Sequence, residues 1–152
     1  MKNYYGLFFI SVLLLMFAGC AGVTTQPPAD PVGVEQEKLT MSENPAVVAL
    51  LVRAQRDNDA GQRETAGTSL ERALRIEPRN PWLWHELAQL RLTQGQYSQA
   101  VSLAQKSNSF AGQDRRLLAL NWRVIGNARV ALGDSSGAEQ AFKRASELER
   151  SE

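Results

Sequence analysis

Residues 81–114 read PWLWHELAQLRLTQGQYSQAVSLAQKSNSFAGQD, and the first of their two glycines, Gly95, decides how the chain is parsed. The segment after it, QYSQAVSLAQKSNSFAGQD, aligns with QRETAGTSLERALRIEPRN after Gly61 and with DSSGAEQAFKRASELERSE after Gly133. The first two glycines stand 34 residues apart and the second pair 38 apart, one period plus a four-residue insertion. A fixed period of this length marks stacked supersecondary units. Each glycine can end one helix and turn the chain into the next, because it accepts positive φ. Asn44-Pro45 and Asn80-Pro81 each pair an N-cap with proline at the first helical position. Val47, Val48, Leu50, Leu51 and Ala54 follow as an apolar face at helical spacing. Glu77-Pro78 closes a helix, since proline biases the preceding residue away from helical backbone. No segment alternates as a strand would. The pattern predicts helices over 45–58, 63–76, 81–93, 97–109, 114–131 and 135–149, an all-α chain.

Thirty-four residues is the period of the tetratricopeptide repeat, and the residues in phase agree with that family. Residues 81–114 hold Trp84, Leu87, Ala88, Gly95, Tyr97 and Ala100. Residues 119–152 hold Trp122, Ile125, Gly126, Gly133, Ala138, Phe142 and Ala145, and residues 47–80 hold Ala54, Gly61, Ala66, Leu70, Ala73 and Pro78. The chain therefore resembles a tetratricopeptide protein. That implies a short right-handed solenoid of about three helix-turn-helix repeats over 45–152. Several positions depart from the family. Arg91 and Arg129 stand where tyrosine is usual, Ala104 replaces a bulky residue, Ser107 replaces a small alanine, and Leu50 replaces the first tryptophan. The insertion Arg115-Arg116-Leu117-Leu118 adds about one helical turn. It either adjusts how the third repeat stacks or projects two arginines as a basic contact.

The segment ahead of the repeats has a different composition. MKNYYGLFFISVLLLMFAGC combines an early lysine, an apolar run and small residues, the layout of a secretory signal. The run from Leu7 to Ala18 is about 12 residues, shorter than the roughly 20 that cross a bilayer as a helix. Phe17-Ala18-Gly19-Cys20 resembles a bacterial lipobox, with Phe17 in place of the usual leucine. The resemblance implies cleavage after residue 19 and a diacylglycerol and an N-acyl chain on Cys20, the only cofactor-like group expected. One acyl chain binds membranes marginally, whereas two or three hold firmly. The competing readings are an ordinary secretory signal with an incidental cysteine and an uncleaved anchor. Ala21, rather than aspartate, implies the periplasmic face of the outer membrane by analogy with Gram-negative lipoproteins. Residues 20–44 then contain Pro27, Pro28 and Pro31 and carry a formal charge of −3, an extended linker.

Composition excludes several activities. The chain of 152 residues has a net charge of +1, which offers no field for nucleic acid. A single cysteine makes neither an internal disulfide nor a structural zinc site. His85 and Glu86 are sequence neighbours and diverge on a helix, and no serine elbow, P-loop or paired metal-ligand spacing occurs. The expectation is a protein without catalytic or metal-binding residues.

Repeat solenoids bind along their concave face. In the tetratricopeptide family the first helix of each pair lines it. Transferring those positions gives Leu51, Gln55 and Asn58, then Trp82, His85, Gln89 and Leu92, then Leu120, Arg123 and Asn127. Arg123 and Asn127 also resemble part of the clamp that some members close on a peptide C-terminus. Trp84 and Trp122 fall at packing positions. The last helix keeps an apolar face through Ala138, Ala141, Phe142, Ala145 and Leu148, open to self-association or to a partner. The expected function is an outer-membrane-anchored scaffold or assembly factor that recruits an envelope protein or peptide segment. The alternatives are a pilotin-like targeting factor and a regulator of a cell-wall hydrolase.

Overall fold

The computed structural model describes residues 41–150. The signal segment, Cys20 and most of the linker lie outside the described residues. Six helices follow one another: α1 (Pro45–Asp59), α2 (Arg63–Ile76), α3 (Pro81–Thr93), α4 (Tyr97–Phe110), α5 (Arg115–Ala131) and α6 (Ser135–Arg150). Among the described residues there is no strand. Every expected helix is present, with ends displaced by at most one residue.

The helix starts show why. The Asn44 and Asn80 side chains accept from the Ala46 and Trp82 amides at 3.0 Å, each ahead of a proline. Asp114 accepts from the Leu117 amide and Asp134 from the Gly137 amide, both at 2.9 Å. These bonds satisfy amides that a helix start leaves without intrahelical partners. The turns within the three repeats are copies of one device. Gly61, Gly95 and Gly133 have φ of 76°, 74° and 79°. The amide after each glycine, that of Gln62, Gln96 and Asp134, donates back to the carbonyl of Asp57, Arg91 and Arg129, at 2.7, 2.9 and 2.9 Å respectively. That is the double-bonded glycine cap of a helix C-terminus.

Helices pair within repeats and then stack. α4 packs closely on α5, whereas α2 meets α3 more sparsely. One core joins the first repeat to the second through Val47, Leu51, Leu70, Leu83 and Leu87; another joins the second to the third through Ala88, Ala100, Ala104, Ile125 and Ala128. The second is rich in alanine, so the helix backbones approach closely. At Gly126 the approach is tighter still: a Cβ there would stand 2.5 Å from Cε1 of the Phe142 ring.

The departures from the family have local explanations. The Arg91 guanidinium donates to Gln94 Oε1 at 2.7 Å and to Glu71 Oε1 at 3.0 Å, bridging α3 to α2. Arg129 donates to the Gly137 carbonyl at 3.0 Å. The four-residue insertion is drawn into the stack. Leu117 is fully buried, and Arg115 donates to the Leu148 carbonyl at 2.9 Å, closing the C-terminus of α6. The Arg116 guanidinium lies 5.9 Å from the centre of the Trp82 ring.

The chain enters the domain along a fixed path. Met41 is buried in the first core, and its carbonyl accepts from Asn80 Nδ2 at 2.8 Å. Ser42 donates to Glu77 Oε1, also at 2.8 Å. The entry segment is therefore fastened to the α2–α3 connection.

Candidate functional site

The first helices α1, α3 and α5 place equivalent residues at successive steps along one face. Leu51, His85 and Arg123 share one register, and Gln55, Gln89 and Asn127 share the next. The second set is a carboxamide at the same position of all three repeats. Gln89 and Asn127 are exposed and Gln55 is half-buried. Gln55 donates to Asp59 Oδ1 at 2.9 Å, one turn along α1, which leaves its carbonyl oxygen free to accept. Gln55, Asn58, Glu86, Gln89 and Thr93 border a cleft of about 130 Å³ between α1 and α3, floored by Leu70 and Leu90. This cleft sits where the repeats are least tightly stacked. Glu86 and Thr93 were not singled out by the sequence, although they lie within one turn of Gln89.

Two expected groove residues are not surface groups. Leu51 is 1% exposed and belongs to the core, because α1 turns that face onto α2 and α3. His85 is 2% exposed. It lies in a buried polar chain that the sequence did not disclose. Ser107 donates to the Pro81 carbonyl at 2.8 Å, and Asn121 Nδ2 donates to Ser107 Oγ at 2.7 Å. Asn121 Oδ1 then faces His85 Nδ1 at 2.7 Å, and Gln89 Nε2 lies 2.6 Å from His85 Nε2. Read from its carbonyl end, the chain places a proton on His85 Nδ1, which donates to Asn121 Oδ1, while Gln89 meets Nε2. Ser107 and Asn121 are both fully buried. They tie α3, α4 and α5 together, and only Gln89 reaches the groove. His85 thus fixes the Gln89 carboxamide instead of meeting a ligand itself.

The remaining positions divide. Trp82 is half-buried against the first core and meets His85 edge-on at 6.0 Å between ring centres. Trp84 and Trp122 also pack on the cores, and the Trp84 indole donates to the Pro78 carbonyl at 2.9 Å. Asn58, Leu92 and Leu120 are half-buried along the face. Arg123 and Asn127 border a separate hollow with Phe142 and Glu149, between α5 and α6. There Arg123 holds Glu149 in a two-pronged ion pair, at 2.8 and 3.0 Å. The bond to Glu149 and its charge raise the Arg123 pKa above the ordinary value, and the bond from Arg123 lowers that of the Glu149 carboxyl. Glu149 takes the Nε and Nη2 edge of the Arg123 guanidinium, so a peptide carboxylate meeting Arg123 would share it with an acid already bound.

No group of histidine, cysteine and acidic side chains suited to a metal ion occurs among the described residues. No described helix is long and apolar enough to cross a membrane.

This geometry is that of a repeat solenoid, and the comparisons agree. A tetratricopeptide repeat family model matches residues 57–121. Among solved structures, the globular C-terminal domain of P. aeruginosa LpoP is 41% identical, with a TM-score of 0.66. The match covers 68% of this chain and 97% of that one. No curated protein matches. The chain belongs to the tetratricopeptide repeat family and is similar to the LpoP domain, and its fold is that of a protein-interaction module.

Proposed function

We propose that this chain is a lipid-anchored scaffold of the bacterial envelope. In this reading acyl chains on Cys20 hold it to the outer membrane facing the periplasm, and the groove of α1, α3 and α5 takes an extended segment of another envelope protein. The observation that carries the binding half is the repeated carboxamide at Gln55, Gln89 and Asn127. Evenly repeated amide groups suit a ligand that is itself a repeating chain of amides, because each can bond backbone N–H or C=O groups whatever the side chains. The sequence around Cys20 supports the anchored half.

The test is crosslinking and capture from solubilised envelopes, comparing the native chain with Gln55→Ala plus Asn127→Ala. These residues lie outside the buried polar chain, so the fold is retained, as circular dichroism would verify. Loss of a client with the fold intact supports groove binding. Undiminished capture of the same client refutes it. Mislocalisation of the client in a deletion strain would indicate targeting, and altered activity of a captured hydrolase would indicate regulation.

A further inference from the structure

The solenoid has two long edges. One carries the glycine turns of the three repeats. The other carries the starts of α1, α3 and α5 and the ends of α2 and α4, and the entry segment is fastened to it through Asn80 and Glu77. The two edges differ in charge. On the glycine edge Arg56 and Arg63 are interleaved with Asp57, Asp59 and Glu64. On the entry edge Arg75, Arg79, Lys106 and Arg116 are exposed, and none forms an ion pair with a carboxylate among the described residues. Arg79 and Lys106 converge on the half-buried Phe110 ring, at 5.8 and 4.7 Å from its centre. Of the acids on this edge, Glu77 accepts from Ser42 and Asn80, Asp114 accepts from the Leu117 amide, Glu149 at the end of α6 is held by Arg123, and Glu43 is exposed, so the excess of positive charge lies at Arg75, Arg79, Lys106 and Arg116.

We propose that this entry edge, centred on Arg75, Arg79, Lys106 and Phe110, rests on the anionic phospholipid headgroups of the bilayer that carries the protein's anchor. The inference rests on the anchored reading of Cys20. It is argued from the charge of the edge and from where the chain enters. Cys20 and Met41 are 21 residues apart, so full extension allows about 70 Å, whereas a flexible coil of this length averages about 25 Å. The tether leaves the domain at this edge, where Met41 and Ser42 are fastened to Asn80 and Glu77, so this edge lies nearest the anchor. Each exposed cation near an anionic surface adds about fivefold to partitioning. An aromatic ring flanked by cations suits the interfacial layer, where its apolar body and the charged heads find separate surroundings.

The experiment uses the full, acylated chain reconstituted in vesicles of phosphatidylcholine alone or with about one-third phosphatidylglycerol. Acylation consumes Cys20, so Ser109→Cys beside Phe110, or Gln96→Cys on the opposite edge, gives a single thiol for a fluorophore. Headgroup-labelled quenching lipid then reports proximity. The expected result is strong quenching at position 109 only on anionic vesicles, released by about 0.5 M salt. It is also released in Arg75→Glu/Arg79→Glu/Lys106→Glu, whose partitioning falls at least about 100-fold. Position 96 stays unquenched throughout, and an unchanged circular dichroism spectrum shows that the triple variant folds. Equal quenching on neutral and anionic vesicles, or no effect of charge reversal, overturns the proposal. An edge that instead serves an acidic protein leaves position 109 unquenched on every vesicle, which also overturns it. If the protein does not float with either vesicle type, the anchored reading fails and this inference falls with it.

Discussion

Replacing Ser107 with alanine moves the chain toward the residue its family uses at that position, and the structure predicts that the change is harmful. Alanine is the better helix former by about 0.5 kcal/mol, and that gain favours the variant. Against it stand two hydrogen bonds, at 2.7 Å from Asn121 and 2.8 Å to the Pro81 carbonyl, made by a hydroxyl with no solvent exposure. Removing that oxygen orphans a buried Asn121 N–H, at a cost of about 1–3 kcal/mol. The net expectation is a loss of about 0.5–2.5 kcal/mol. For a domain of this size that lowers Tm by roughly 2–12 °C. Urea and thermal unfolding followed by circular dichroism would measure it, and a cycle with Asn121→Ala would isolate the coupling. Once Asn121 is absent, Ser107→Ala should cost under about 0.5 kcal/mol. A neutral or stabilising Ser107→Ala, or additive effects in the cycle, would refute the role assigned to the buried chain.

Other outcomes follow from single contacts. Gly126→Ala should cost about 1 kcal/mol net, since overpacking against the Phe142 ring at 2.5 Å outweighs the gain in helix propensity; an increased urea midpoint would contradict this. Arg115→Ala removes a cation from the last carbonyls of α6, so hydrogen exchange should quicken in its final turn, with a loss of about 0.3–1 kcal/mol. By NMR titration the Glu149 carboxyl should titrate below an ordinary glutamate and return to the usual range in Arg123→Ala. Because its pKa is lowered on folding, whatever the pair contributes is present above the unfolded value and is lost as pH falls through the folded one. Nitrogen shifts of His85 should show a proton on Nδ1; a bare Nδ1 would require the Asn121 amide to be turned round.

The helices were legible because their signals are local. Asn44-Pro45, Asn80-Pro81 and the three turn glycines each act over a few residues, and the period multiplied them. The groove was legible only as a register. Gln55, Gln89 and Asn127 do line up on the accessible face, but Leu51 and His85 share the neighbouring register and are buried. Whether such a position faces the groove or the core depends on how far each helix is rotated against its neighbours, and that is a tertiary quantity. The polar chain was illegible for a related reason. His85 and Asn121 are 36 residues apart, and Asn121 and Ser107 are 14 apart on different helices. The visible trace of the chain was Ser107 standing where alanine is usual. Likewise the insertion carrying Arg115 and Arg116 read as a stacking adjustment ahead of a basic contact until their neighbours were placed.

The fastening of Met41 and Ser42 to Asn80 and Glu77 also determines how the domain bears tension. Load arriving along the chain from its N-terminal side meets these bonds before it meets α1, so it is shunted into the connection that leads to the second repeat. The first repeat is bypassed instead of being peeled away turn by turn. Cutting both bonds of the shunt with Ser42→Ala plus Asn80→Ala would place α1 directly in the line of force, and a single-molecule pull through the N-terminal segment should then show the first repeat yielding earlier than the rest.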